Sequence, residues 1–360
     1  MPLIVSNTES KLWEEVVRGE ELPVLRFPIT VKTLVLAVCG TRDLMPYHHN
    51  PEYSKSIGNR GMFVNTMFEQ ALFARYVTDW CGPESDFRST SLAMVGQLCP
   101  GDVAEIRGRV TKKYWDGNDC VVELELTASN DVGVAARSSA TIAMPSDQYG
   151  EVKRFTSLGK PEITPNPGMP ESAKEYLGKV SEPTWGAYPI SEVQILYWCD
   201  MVEDGNPLYE DGEYARKSRH KGVIAPPMGL ISWMMGRAGR SGVDASAPDV
   251  DCPERKPWPP VPESARAARA GMYTPPGATD TIATRSVQYY GTPLRPGDRV
   301  YSTGELLDCS PLKKTALGPG YFQVNLSTYY NQNDEIVGTN LFTLLRYGVK
   351  EDARKDEGGA

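Results

Sequence analysis

The chain is poor in the residues on which several large functional classes depend. Its 360 residues hold three histidines, at positions 48, 49 and 220. The seven cysteines are scattered, odd in number and without a C-x-x-C pair, so neither a disulfide framework nor a zinc site is expected. They fit reduced thiols in a cytoplasmic protein. No block of Lys and Arg exceeds a few residues, and the net charge is −8 with a pI near 5.2. Nucleic acid is therefore not expected as a partner, because phosphate neutralisation needs a concentrated basic face. Long apolar runs are missing too. The stretch 34–39 is far too short to span a bilayer, and the acidic residues Glu9, Glu14 and Glu15 argue against a signal peptide. The expectation is a soluble protein without membrane contact. There is no G-x-G-x-x-G, G-x-S-x-G, P-loop or H-E-x-x-H, so no cofactor and no metal are expected.

What the chain does have is an internal repeat. Asp43-Leu-Met-Pro46-Tyr-His48 returns 161 residues later as Asp204-Gly-Asn-Pro207-Leu-Tyr209. The spacing Asp-x-x-Pro-x-(His/Tyr) is kept, but the histidine is not. Upstream, residues 29–43 align without gaps on 190–204. Thr30 and Ser191 stand where a hydroxyl would cap a helix, and apolar residues follow at helical spacing. These are Val31, Leu34, Val35 and Val38 in one copy and Val193, Leu196, Tyr197 and Met201 in the other. Pro100-Gly-Asp102 recurs as Pro296-Gly-Asp298, but from Asp204 to Pro296 the second copy carries 35 extra residues. A repeat of this length indicates a duplicated domain, not a solenoid.

Helical spacing predicts a leading helix over 7–19, a helix over about 31–40, and a long core helix over 61–80 that is apolar on more than one face. Strands are expected at 90–97, 103–114, 120–128 and 133–143, and in the second copy at 283–290, 298–307, 321–330 and 335–347. The second core helix is placed at 226–235. The organisation expected is an N-terminal helical extension (1–19), a first domain (20–146), a linker (147–188) with a short helix near 171–177, and a second domain (189–348) with an insertion over 238–280. Residues 349–360 would form a disordered tail. Antiparallel strands wrapped on a long apolar helix make an α+β domain.

The Asp-x-x-Pro-x-His loop, set between an apolar helix and a long core helix with four strands behind it, resembles the MaoC-like hot-dog hydratases and dehydratases. Of the family loop Gly-Asp-x-Asn-Pro-(Leu/Ile)-His, this chain keeps Asp43, Pro46 and His48, while Arg42 and Met45 replace the Gly and the Asn. The second copy, with Ile224-Ala-Pro-Pro227, resembles the non-catalytic half of double hot-dog dehydratases. The resemblance covers roughly residues 20 to 347. It implies a double hot-dog fold, two antiparallel sheets each wrapped on a long central helix and paired as a pseudo-dimer. It also implies reversible hydration of a 2-enoyl-CoA to the (R)-3-hydroxyacyl-CoA.

Such a reaction needs a group that takes a proton from water, one that delivers a proton to the α-carbon, and donors for the enolate oxygen. Asp43 and His48 are the candidate catalytic pair, and histidine suits the work because its ordinary pKa lies near neutrality. Which of the two is the base stays open at this level. Gly61 is the candidate oxyanion donor at the start of the core helix, with Gly58 and Asn59 beside it. In the second copy Tyr209 replaces the histidine, and Pro226-Pro227 stands at the helix start without an N–H. Glu69 is a candidate substrate contact. Arg216 and Arg219, in the cluster 216–221, are candidates for the phosphates of CoA. An acyl group as bulky as a steroid side chain is expected to fit if the second core helix is broken and the insert opens a tunnel. Two other readings compete: a hot-dog thioesterase using Glu69, and a non-enzymatic acyl-CoA-binding member of a hetero-oligomer. For the chain itself a homodimer or larger homo-oligomer is expected.

Overall fold

The computed structural model describes residues 8–153, 158, 161–236 and 273–348. Much of the predicted insertion, and the tail from 349, lie outside them. The first copy runs β1 (Leu25–Pro28), α1 (Val31–Thr41), α2 (Pro51–Ser56), α3 (Thr66–Cys81), β2 (Asp86–Met94), β3 (Val103–Trp115), β4 (Cys120–Asn130) and β5 (Gly133–Met144). Between the copies stand α4 (Glu171–Lys174) and β6 (Thr184–Trp185). The second copy follows with α5 (Glu192–Val202), α6 (Pro207–Glu210), α7 (Gly212–Lys217), α8 (Leu230–Trp233), β7 (Asp280–Tyr290), β8 (Val300–Cys309), β9 (Lys313–Thr315), β10 (Gly318–Asn331) and β11 (Ile336–Tyr347).

All strands are antiparallel, in the order β1-β3-β4-β5-β2-β7-β11-β10-β8-β6, with β9 beside β10. The expected two sheets therefore join edge to edge into one, through Thr90 opposite Gln288 and Leu92 opposite Ser286. This junction leaves neither edge exposed at the centre, where unpaired N–H and C=O groups would invite aggregation. Beneath it, the buried Gln70 of α3 donates to the Ser286 hydroxyl, which donates in turn to Asn340 of β11. The chain is thus α+β with an internal two-fold.

Helix α3 forms as a 16-residue rod because Asn65 caps it and because Phe68, Ala71, Leu72, Phe73, Tyr76 and Val77 bury nearly all its surface. Its start lies five residues later than the apolar spacing predicts. Two further expectations need correction. Within 8–19 the only helical residues are one 3-10 turn, Trp13–Glu15, since Val16 alone is buried while Val17 faces solvent. The second core helix is a 3-10 turn at Pro227–Gly229 followed by the single turn α8; it begins at the position equivalent to Thr66, where proline is tolerated because first-turn N–H groups have no partner within the helix, but it ends after Trp233. No helix among the described residues is long and apolar enough to cross a membrane.

The repeat persists at the level of single hydrogen bonds. Thr30 caps α1 through the amide of Thr33, and Ser191 caps α5 through that of Gln194. Both helices end on a left-handed residue, Arg42 (φ 59°) and Glu203 (φ 55°). Directly after it, Asp43 Oδ1 accepts from the amide of Met45 and Asp204 Oδ1 from that of Asn206. The loop then turns back identically, His48 N to Met45 O and Tyr209 N to Asn206 O, each at 3.0 Å. Val64 N bonds Leu98 O where Ala225 N bonds Leu294 O, so the offset of 161 holds as far as the two helix starts.

The two aspartates nevertheless sit in different surroundings. Asp43 is partly exposed, whereas Asp204 is buried and its carboxyl is pushed up to about 7, chiefly by desolvation. The folded chain then keeps a proton that the unfolded chain releases. Asp204's contribution to stability is complete below about pH 4 and is lost as pH rises through 7. Urea unfolding should accordingly show a stability decrease between about pH 4 and pH 7 that levels off above it. Asp204→Asn, which keeps the acceptor for Asn206, should remove a part of that slope on the order of 2 kcal/mol.

Candidate active site

The end of α1, the Asp43 loop and the start of α3 are tied together by two side chains. The buried Thr41 hydroxyl donates to Ala37 O at 2.6 Å and accepts from Asn65 Nδ2 at 2.7 Å and from the Asp43 amide at 3.3 Å. Asn65 in turn accepts from Phe68 N as the cap of α3. Asp43 and the first turn of α3 are therefore positioned by one network. Sequence reading passed over both residues. The signal was present, because the same offset pairs Thr41 with Val202 and Asn65 with Pro226, two polar-to-apolar exchanges confined to one copy.

The structure brings Asp43 and His48 together. His48 is buried on the 3-10 turn Pro46–His48, with its Nε2 3.4 Å from Asp43 Oδ2. Its Nδ1 lies 2.8 Å from the carbonyl of Phe63. A carbonyl can only accept, so Nδ1 carries the hydrogen and the neutral ring presents an Nε2 lone pair toward Asp43. The 3.4 Å gap is longer than a normal N–H···O bond, and a water within reach of both atoms can use it. Rings surround the imidazole on two sides: Tyr47 edge-on at 4.5 Å and Phe63 edge-on at 5.2 Å. Tyr47 and Phe63 stack on each other. Burial first, then the charge of Asp43, pushes the Tyr47 phenol up, so it stays protonated. His49 points elsewhere, to Leu44 O.

Donors for an oxyanion need correction. Gly61 stands five residues before α3, and its carbonyl accepts from Ser54. The free N–H groups of a helix belong to its first turn, which here means Thr66 and Met67. Gly58 (φ +93°) turns the preceding loop, and Asn59 accepts from Gln97. These two residues shape the loop between α2 and α3. Glu69 is buried in the first turn of α3; its Oε2 lacks a hydrogen-bond partner, and desolvation pushes the carboxyl up to about 8.

The arginines do not join this group. Arg219 is held against Glu84 and Asp86 at 3.8 and 3.4 Å. With His220 and Arg295 it lines a cavity of about 400 Å³. Arg216 is exposed at the end of α7. Charge clustering in sequence had no means of separating solvated side chains from those already paired.

At the second copy's loop the same positions carry other chemistry. Tyr209 replaces His48, Pro226 and Pro227 replace Asn65 and Thr66, and Leu230 replaces Glu69. Tyr209 is buried, and desolvation holds its phenol far above neutrality.

Residues 177–254 match the family model of the FAS1-like dehydratase domain region. Over 179 residues the chain is 30% identical to the "probable enoyl-CoA hydratase alpha subunit" of Thermomonospora curvata, covering 49% of this chain and 51% of that protein. Over 167 residues it is 29% identical to the 3-oxo-4,17-pregnadiene-20-carboxyl-CoA hydratase alpha subunit of Mycobacterium tuberculosis, covering 46% of this chain and 48% of that one. The chain thus spans about half the length of these curated relatives. Among solved structures, a protein described as a MaoC domain dehydratase, from Chloroflexus aurantiacus, superposes with a TM-score of 0.61 at 13% identity. That match covers 95% of this chain and 99% of the other. A Mycobacterium tuberculosis protein described as a double hot-dog fold gives 0.57 at 11% identity, covering 94% and 99%. With one antiparallel sheet, an internal two-fold and a buried helix in its first half, the chain has the double hot-dog fold seen in MaoC-like dehydratases, and its residues 177–254 are similar to the FAS1-like dehydratase region.

Proposed function

We propose that the chain hydrates a 2-enoyl-CoA reversibly to a 3-hydroxyacyl-CoA at a single site in its first half, as a hydro-lyase. The observation that carries this reading is the pair His48 Nε2 and Asp43 Oδ2, 3.4 Å apart, with Nδ1 committed to Phe63 O. A water held by both atoms gives one proton to Nε2 as its oxygen bonds the β-carbon of the enoyl group. The resulting imidazolium faces the Asp43 carboxylate, which stabilises it, and returns the proton to the α-carbon. No other acid or base is needed to balance the step. The enolate oxygen of the intermediate is received by first-turn amides of α3, Thr66 and Met67, where free donors coincide with the positive end of the helix dipole.

Glu69 weighs against thioester hydrolysis. Desolvation pushes its carboxyl up to about 8, so it is mainly protonated at pH 7, and the carboxylate that water activation needs is the minor form there. The break in the second core helix and the steroid-type CoA ester named for one relative support a bulky acyl group. The names of the relatives as alpha subunits raise a heteromeric assembly; for this chain, which carries both copies itself, we propose a homo-oligomer. Six described cysteines are free thiols, in keeping with a reducing, cytoplasmic setting.

His48→Ala should lower enoyl-CoA hydration at least about a thousandfold, while Asp43→Asn should cost about a hundredfold or more. Near-wild-type turnover of His48→Ala, with unchanged circular dichroism, would overturn the assignment. Thioester cleavage persisting in that variant would favour the hydrolase.

The second half offers an independent check. In a His48→Ala background, Tyr209→His restores an imidazole but not both donors, since Pro227, at the position of Thr66, has no N–H. One missing oxyanion donor costs about a hundred- to thousandfold, so this double variant should stay inactive in the same assay. Recovered hydration would show that the donors lie elsewhere and that two usable sites exist.

A further inference from the structure

The two halves differ in what their strands present to the helices. In the first half that face is apolar: Leu124, Leu126, Ala140, Ile142 and Met144 are buried on it. Helix α3 runs along it for 16 residues, about 24 Å, and Tyr76 meets Gly108, the register partner of Leu126. In the second half α8 has only four residues. It rests on Gly338, where a Cβ would lie 2.7 Å from Leu230 Cδ1. The same face of β11 continues through Asn340, Phe342 and Leu344 to Arg346, about 26 Å further on. One helical turn cannot reach that far.

Polar groups stand on the part beyond α8. Arg346 donates through Nε to Gln323 Oε1 at 3.1 Å and through Nη1 to Thr281 Oγ1 at 2.6 Å. Arginine can only donate, so the orientation of the Gln323 amide is fixed. Its Nε2 then donates to Tyr273 O at 3.1 Å and to Asn325 Oδ1 at 2.9 Å. That leaves Asn325 Nδ2 as a buried donor without a partner. The two acceptors of Arg346 are neutral, and no carboxylate pairs with it among the described residues. A half-buried cation without a counter-charge is costly, and such groups are ordinarily paired. Beside it, Tyr347 lies close enough to Tyr47 for the two phenols to interact electrostatically, and Tyr47 touches the His48 ring. An acyl group that starts at the catalytic pair therefore has Arg346 within its reach.

We infer that the face beyond α8 receives the far end of the acyl group, and that this end carries a carboxylate, held by the Arg346 guanidinium and the Asn325 amide. A guanidinium and one amide donor match the two oxygens of a single carboxylate, and charge-assisted bonds are the stronger kind. The phosphates of CoA fit less well. They carry several charges and favour a wet surface, whereas Arg346 is half-buried beside the buried Tyr321 and Leu344. A ketone would use the amide but leave the charge of the arginine unanswered. The inference rests on the hydration proposed above and adds the class of acyl group.

The test is hydration of 2-enoyl-CoAs of increasing chain length, each made ending in a methyl group, a methyl ketone or a carboxylate. At the length that reaches the site, wild-type kcat/KM should favour the carboxylate over the methyl form at least about tenfold, mostly through KM. Arg346→Gln should bring that ratio near one, and Arg346→Lys, which keeps the charge but not the fork, should keep part of it. Asn325→Asp, which hardly changes the volume, should turn the preference against the carboxylate by like-charge repulsion, an independent check should Arg346→Gln fail to fold. No hydration of any of these esters would overturn the hydration reading and this inference with it. Equal kcat/KM for methyl and carboxylate forms at every length would overturn this inference alone. So would a preference for the ketone over the carboxylate. A loss in Arg346→Gln shared equally by all three forms would place the arginine on CoA and not on the acyl group.

Discussion

The hydrogen bond between Thr41 and Asn65 holds the first half in its working arrangement. It joins the last turn of α1 to the cap of α3, and the same hydroxyl takes the amide of Asp43. Three elements that meet nowhere else in the chain order are thereby fixed to within one side chain of each other. In a buried setting such a link is more than a contact, because removing either partner leaves an unsatisfied polar group in a low-dielectric interior. The second copy replaces both partners together, Val202 for Thr41 and Pro226 for Asn65. Exchange of both at once avoids that penalty. The freed end of α5 is secured otherwise, by Arg75 donating to Val202 O at 2.7 Å.

A single loop design thus hosts two chemistries. Asp43 and Asp204 make the same local turn after a left-handed residue, yet one faces an imidazole and the other is buried, where desolvation raises its carboxyl. The turn accounts for the persistence of aspartate in the copy that has lost its histidine: Oδ1 holds the following loop, whatever Oδ2 does. Glu69 gives the complementary case. Its position in the first turn of α3 would suit a charged carboxylate, but desolvation by burial pushes the carboxyl up to about 8, and Oε2 has no hydrogen-bond partner to offset it.

Much of this was legible in the chain. The alternation of Val121 to Thr127 against Val122 to Leu126 places β4, and the repeated Pro-Gly-Asp marks the start of β3 and β8. The Asp43–His48 pair is expected from the resemblance of its loop to the hot-dog hydratase motif, five residues apart across a proline turn. What stayed hidden has physical reasons. The Gly61-Met-Phe-Val run is apolar enough to pass for helix, but the helix waits for the Asn65 cap, and Phe63 is spent as an imidazole neighbour. The stripe Val31, Val35 and Val193, Leu196, Tyr197 has helical period but faces outward, since periodicity reports a face and not what covers it. Strand β1, four residues paired to β3, is too short to show a pattern.

The edge pairing of β2 with β7 has a consequence for how such a molecule can change. In a dimer of identical hot-dogs, every substitution appears twice, so widening a groove on one subunit also damages the chemistry on the other. Here both units are one polypeptide sharing one sheet, and each position is inherited separately. The second half can shorten its core helix to two turns while the cap, the histidine and the amides of the first half stay untouched. Duplication has turned one constraint into two independent ones, and the asymmetry between His48 and Tyr209 is what that independence left behind.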